Sequence, residues 1–389
     1  MPVINRIADL HADITAWRHD LHANPELLYD VHRTAGKVAE MLQSFGVDEV
    51  ATGIGRTGVV GVIRGRNGGA GKVIALRADM DALPITEKSG RPYASRNPGK
   101  MHACGHDGHT AMLLGAARYL AETRNFEGTA IVIFQPAEEG GAGARTMMED
   151  GLMERFGIDE VYGLHNMPGI PAGQFAIREG GMMAGTDEFA IEIEGVGGHA
   201  AMPNRTVDPI VVGAQIVTAL QTIVSRNVDP LRSAVVSVTT FNAGSAHNVI
   251  ARTARLSGTV RTLDEAVRDQ VEARLRQTAE QIAAAFGATA QVSYRRGYPV
   301  TVNAPHQTAF AAQVAGDVAG VERVEIGVDA TMGGEDFAYM LQARPGAYIF
   351  LGNGDSAQLH TETYDFNDEI IPAGVSYFCR LVETGLPVR

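Results

Sequence analysis

Apolar positions recur at steps of three and four over Ile7, Leu10, Ile14, Trp17 and Leu21, which predicts an amphipathic helix ending before Pro25. Thr34, Val38, Met41, Leu42 and Phe45 predict a second helix, closed by Gly46. Short apolar runs rich in β-branched residues follow, at 58–64, 73–79, 129–135 and 161–165, and each reads as a strand. Between them, Asp107 to Glu122 has helical spacing. Strands alternating with helices predict an α/β layer architecture. The middle of the chain has another rhythm: strand 189–194, helix 207–224, strands 234–241 and 254–262, helix 264–286, strand 290–295. That order matches the split βαβ, ferredoxin-like unit. We therefore expect an inserted α+β domain over 185–296, with 1–184 and 297–389 forming one catalytic domain around it.

At 389 residues the chain exceeds what one hydrophobic core usually supports, in keeping with two domains. An apolar fraction of 45% and a charged fraction of 20% are those of an ordinary globular protein. The formal charge of −12 excludes phosphate-backbone binding as a general activity, because that needs a basic face. Cys104 and Cys379 are too few and too far apart for a disulfide framework. The start carries neither a cationic leader nor an apolar run, and no window approaches the roughly 20 apolar residues of a membrane span. The expectation is a cytoplasmic protein with no membrane and no nucleic-acid partner.

Candidate chemistry concentrates in Met101 to Thr110, which holds His102, Cys104, His106 and His109. Thiolate and imidazole are the donors that borderline and soft divalent cations prefer. Cys104 and His106 flank a glycine, so both side chains can point at one ion. His102 and His109 read equally well as ligands or as supports. Glu138 and Glu139 follow a strand through Pro136, where adjacent carboxylates diverge. One can ligate a metal while the other accepts a proton from water, the division that metal-assisted hydrolysis requires. His165 closes an apolar run, and Asp79 and Asp81 can orient metal-bound imidazoles. Asp79, Glu138 and His165 all stand at predicted strand ends, where open α/β sheets build their sites.

Taken together these residues resemble the M20 metallopeptidase family, in particular its amidohydrolase branch of hippurate, N-acyl-amino-acid and auxin-conjugate hydrolases. The likeness runs through Trp17 to His22 with Pro25-Glu26, Arg77 to Pro84, His102 to Thr110, Gln135 to Glu139, Gly197 to Pro203 and Gly333 to Phe337. The resemblance implies a mixed-sheet α/β metallohydrolase catalytic domain with an inserted ferredoxin-like lid that also dimerises. It implies two divalent ions held by Cys104, His106, Glu139, His165 and His360, with Glu138 as general acid/base and Asp79 and Asp81 behind the ligands. Zinc suits the thiolate, while manganese, cobalt or nickel suit related amidohydrolases. His199 matches the lid histidine that stabilises the oxyanion, and Asn248 and Arg261 match substrate-binding positions. An arginine fork suits a carboxylate because it donates two parallel hydrogen bonds.

The activity so implied is hydrolysis of the amide bond of a small-molecule N-acyl amino acid such as hippurate, by a homodimer or higher homo-oligomer. The alternatives within the family are a dipeptidase or carboxypeptidase and an indoleacetyl-conjugate hydrolase. A metal-binding protein without catalysis would have lost Glu138 or a ligand, and all six residues are present.

Overall fold

The computed structural model describes residues 4–388. The described chain forms two compact units, one comprising Gly181–Thr301 and Ala330–Glu335, the other the remainder.

The larger unit opens with α1 (Asn5–His22) and α2 (His32–Ser44). Helix α1 buries Ile7, Leu10, Ile14 and Leu21, as the periodicity predicts, and also Arg18 and His22. It continues through β1 (Glu49–Ile54), β2 (Gly58–Arg64), β3 (Val73–Asp79), α3 (His106–Thr123), β4 (Thr129–Gln135), α4 (Gly143–Glu149), β5 (Glu160–Pro168) and β6 (Phe175–Ile177). With the strands Val324–Ile326 and Gly346–Gly354 these make an eight-stranded sheet. Its order is β1, β2, β4, β3, β5, Gly346–Gly354, β6, Val324–Ile326. The sheet is mixed. Strands β4, β3, β5 and Gly346–Gly354 run parallel at its centre, while β1 and β2 are antiparallel additions. The central strands are buried on both faces, which is why β4 reads as an unbroken apolar run. The pattern left β1, β6 and both late strands unassigned. It also ended the β5 run at His165, whereas the strand continues to Pro168. Helices α1 and α3 and the C-terminal helix Ile371–Gly385 contribute Ile14, Leu113 and Val375 to one core with Ile74 and Leu76 of β3.

The smaller unit has four antiparallel strands, Gly185–Glu194, Ala234–Ala243, Thr253–Thr262 and Thr289–Arg296, in the spatial order second, third, first, fourth. This is the split βαβ arrangement. Alternate residues Phe189, Ile191 and Ile193 enter a core with Val212, Ile216 and Leu220 of one helix and Val271 and Leu275 of the other. These helices begin at Pro209 and Glu265, later than the apolar pattern suggests, because Asp208 and Asp264 stand outside as N-caps. The expected boundaries at 185 and 296 need correction. Ala330–Glu335 also belongs here, since the Ala184 N–H donates to the carbonyls of Thr331 and Gly333. Among the described residues one helix, Pro209–Asn227, is long and apolar enough to cross a membrane by length and composition alone. Its Val212, Ile216 and Leu220 face is taken up by the unit's own core.

Candidate metal centre

The parallel strands of the larger unit deliver the predicted residues to one sheet edge. β3 ends at Asp79 with Asp81 just beyond, β4 leads into Glu138 and Glu139, β5 carries His165, and Gly346–Gly354 leads toward His360. Cys104 and His106 flank Gly105, the residue preceding α3. Gly105 has φ +90°, and a Cβ there would lie 2.2 Å from Asn166 Nδ2 and 2.6 Å from Tyr364 Oη, so only glycine fits. The Glu138 turn begins at Ala137, with φ +54°. Asp81 holds it by accepting from the backbone N–H of Glu138 at 2.9 Å and of Glu139 at 3.1 Å.

Several trios of donors converge here, and two of them share Cys104: Cys104 with His106 and His165, and Cys104 with Glu139 and His360. His106 also groups with Asp79 and His109 and with Glu138 and Glu139, the donor atoms of each trio lying within 4.8 Å of one another. The His106 Nδ1–H donates to the Asp81 carbonyl at 2.8 Å, and the His165 Nδ1–H to the Asn166 carbonyl at 2.6 Å. A carbonyl only accepts, so each Nδ1 carries a proton and each Nε2 is the nitrogen that faces the cluster. His106 Nε2 and Glu139 Oε1 are buried with no hydrogen-bond partner among the described residues, and His165 Nε2 lies 3.4 Å from Cys104 Sγ. His360, half exposed and at φ +63°, approaches Glu139 to 3.3 Å. This donor set, with unpartnered buried atoms aimed at one another, fits divalent cations.

The electrostatics agree. Burial opposes charge on His106, yet Asp79, Asp81 and Glu139 raise its pKa to about 10. Burial, with Glu139, Glu138 and Asp79 nearby, pushes the Cys104 thiol well up. Burial and the neighbouring His109 keep His165 neutral, far below its usual value. The cluster is thus a buried excess of carboxylates that a cation would neutralise.

The ambiguous histidines separate by their partners. His109 donates from Nδ1 to Asp79 at 2.7 Å, and its Nε2 accepts from the backbone N–H of Asn166 at 3.0 Å, which leaves no lone pair for a metal. His102 is buried outside both trios, with neither ring nitrogen hydrogen-bonded among the described residues. Asp79 is held ionised against the cost of burial by His106, Arg77 and His109. Arg77 donates to Asp79 at 2.7 Å, to Gln135 at 2.8 Å and to Asp336 at 3.0 Å. Asn166 Nδ2 donates to the Cys104 carbonyl at 2.7 Å, and its Oδ1 accepts from Tyr364 at 2.6 Å. Sequence reasoning assigned no role to Arg77, Gln135 or Asn166. Their signal was polarity inside otherwise apolar strands, where a buried group must have a partner.

The other three predicted residues lie in the smaller unit. His199 is exposed on the strand Gly198–His199, which pairs with Val249–Ile250 and so brings Asn248 close by. Asn248 is exposed, and its carbonyl accepts from Ala200. Arg261 stands on the central strand Thr253–Thr262, apart from that hairpin, and donates to Thr259 Oγ1 and the Val260 carbonyl.

An α/β unit with a two-trio donor cluster at its strand ends and a split βαβ insertion defines a metallohydrolase architecture. Residues 75–384 match the family model described as peptidase family M20/M25/M40, and the chain belongs to that family. It is 44% identical to the hippurate hydrolase of Campylobacter jejuni, with 98% of each chain covered. It is 43% identical to the N-acetyl-L-cysteine deacetylase of Bacillus subtilis, over 96% of this chain and 88% of that one. Among solved structures it resembles the Bacillus subtilis YxeP protein, described as a dinuclear metal binding peptidase from the M20 family. That likeness has 35% identity and a TM-score of 0.86, and covers 97% of this chain and 99% of the other.

Proposed function

We propose that this chain is a metal-dependent amidohydrolase that cleaves the amide bond of N-acyl amino acids, hippurate among them, to a carboxylic acid and a free amino acid. The observation that carries this reading is the pair of donor trios sharing Cys104, with Glu138 buried beside them. Cys104, His106 and His165 would hold one divalent ion, and Cys104, Glu139 and His360 a second. When bound, such ions polarise a carbonyl and acidify water. Glu138, on the turn that Asp81 holds, takes the proton of the attacking water and returns it to the leaving nitrogen. Asp79 and Asp81 orient the ligand segments rather than ligate. The substrate class is supported by two relatives whose names specify N-acylated amino acids.

In the smaller unit we assign His199 to the oxyanion and Asn248 and Arg261 to the amino-acid portion, Arg261 suiting its carboxylate. Self-association is supported by Ala234–Ala243, a ten-residue edge strand exposing Val235 and Phe241. A reducing, cytoplasmic setting suits the unpaired Cys104 thiol.

The test is hippurate hydrolysis by chelator-treated protein, with Mn²⁺, Zn²⁺, Co²⁺ and Ni²⁺ returned singly. Restoration by any of them supports the reading and names a workable metal. Cleavage of free dipeptides but of no N-acyl amino acid would replace it with a dipeptidase.

A further inference from the structure

Helix α1 sends a fully buried arginine toward two ligand-bearing segments. Arg18 Nε and Nη2 donate to the two carboxylate oxygens of Asp368 at 2.5 and 3.1 Å, and its Nη1 donates to Asp107 at 3.1 Å. Asp107 adjoins His106 in the first turn of α3. Asp368 opens the short turn ahead of the C-terminal helix, downstream of His360. Asp365, in the same segment, lies 3.9 Å from the guanidinium. Tyr93 packs 4.6 Å over that guanidinium and bonds Asp365, so the fork is clamped from a third side.

We propose that Arg18 is a positioning residue that couples the two halves of the metal centre, holding the His360 segment in register with the Cys104–His106 segment. The inference rests on the dinuclear reading above. Two features make the His360 side the dependent one. The Cys104–His106 segment has other braces, since His22 also bonds Asp107 at 2.8 Å and Asn166 holds the Cys104 carbonyl. His360 itself is half exposed on a loop; among the described residues its own contacts are its backbone N–H to the Ala103 carbonyl and its approach to Glu139. Downstream, Arg18 supplies Asp368 with two charge-assisted bonds, and the same helix adds His19 at 2.8 Å to the carboxylate and His11 at 2.9 Å to the Asp368 carbonyl. The planar fork matters as much as the charge, because a lysine ammonium cannot span Asp107 and Asp368 at once.

Arg18→Lys keeps the charge and most of the stem, and Asp368→Asn removes the charge at the other end of the bridge. Metal-free wild type and each variant are titrated with Mn²⁺ alone in a chelator-competition assay that resolves two binding events, with thermal melts of the metal-free proteins alongside. In both variants the weaker event should lose at least tenfold in affinity while the tighter changes less than threefold. At saturating Mn²⁺, Arg18→Lys should recover kcat with KM unchanged. Equal weakening of both events in step with a lower metal-free melting temperature would reduce Arg18 to general scaffolding and overturn the inference. Unchanged affinities in a wild type that binds two ions would overturn it as well. A wild type that binds a single ion would instead remove the dinuclear reading beneath it. If Arg18→Lys does not fold, Asp368→Asn, at the less buried end of the bridge, decides alone.

Discussion

Glu138 and Glu139 are neighbours with opposite environments. Glu139 has a buried oxygen facing His360 and His106, and burial is outweighed by those histidines so that its pKa is lowered. Glu138 shares the turn, and we propose it as the proton carrier. Glu138→Ala should therefore keep its metal content while kcat falls by about a thousandfold, the usual worth of a positioned general base. Metal analysis beside steady-state kinetics tests this, and near-wild-type turnover would remove Glu138 from the mechanism. His165→Ala should behave oppositely and lose metal, because its Nε2, 3.4 Å from Cys104 Sγ, is the nitrogen that faces the cluster. The same logic explains why three histidines in one short motif have three different fates: Nε2 alone unengaged on His106, both nitrogens engaged on His109, and neither engaged on His102 among the described residues.

At the scale of elements, the site stands on parallel strands and is braced from behind by α1. His22, fully buried at the end of that helix, sits between Asp107 and Glu87. Burial opposes its charge, but the Asp107 contact and Glu87 raise its pKa to about 9. A raised pKa means the charged form stabilises the fold. That contribution is complete below the ordinary value near 6.5 and is lost as pH climbs through about 9. Urea denaturation of the wild type should show a loss of stability across this window that His22→Gln lacks; identical pH profiles would exclude the charge on His22. The turn into α3 makes a second prediction. Gly105→Ala forces φ +90° on a residue with a Cβ and drives it into Asn166. It should cost about 1–3 kcal/mol of stability, the usual range for such strain, and weaken metal uptake. Retention of both would mean that the loop has room to move.

For the whole molecule, divalent ions that bind only the folded chain raise its stability by mass action. Chelation should lower the melting temperature, and readdition of a fitting metal should restore it in a concentration-dependent way. A melting temperature indifferent to chelator would argue against resident metal. Among the described residues, the long edge strand of the smaller unit also bears on assembly. Phe241→Lys should shift the sedimentation coefficient toward monomer if that edge joins two copies, since a charge on an exposed strand opposes pairing.

The sequence by itself determined most of the element types, the two-part organisation and the inventory of candidate metal-binding side chains. Helical and strand periodicity are local, and Ile7 to Leu21 or Phe189 to Ile193 carries its burial pattern wherever the chain goes. Donor chemistry is a property of residue type, so Cys104, His106 and His165 were legible beforehand as candidates, while the choice of Glu139 over Glu138 came from the family resemblance. Isolated late strands were not, because Gly346–Gly354 is a strand through pairing with β5 as much as through its own pattern. The tertiary structure alone decided which donors meet in one trio and which ring nitrogen of each histidine is free. It alone brought Arg18 to Asp368, 350 residues away in sequence. Such facts depend on packing between distant segments, where a buried polar atom is compatible with its surroundings only if a particular partner arrives beside it.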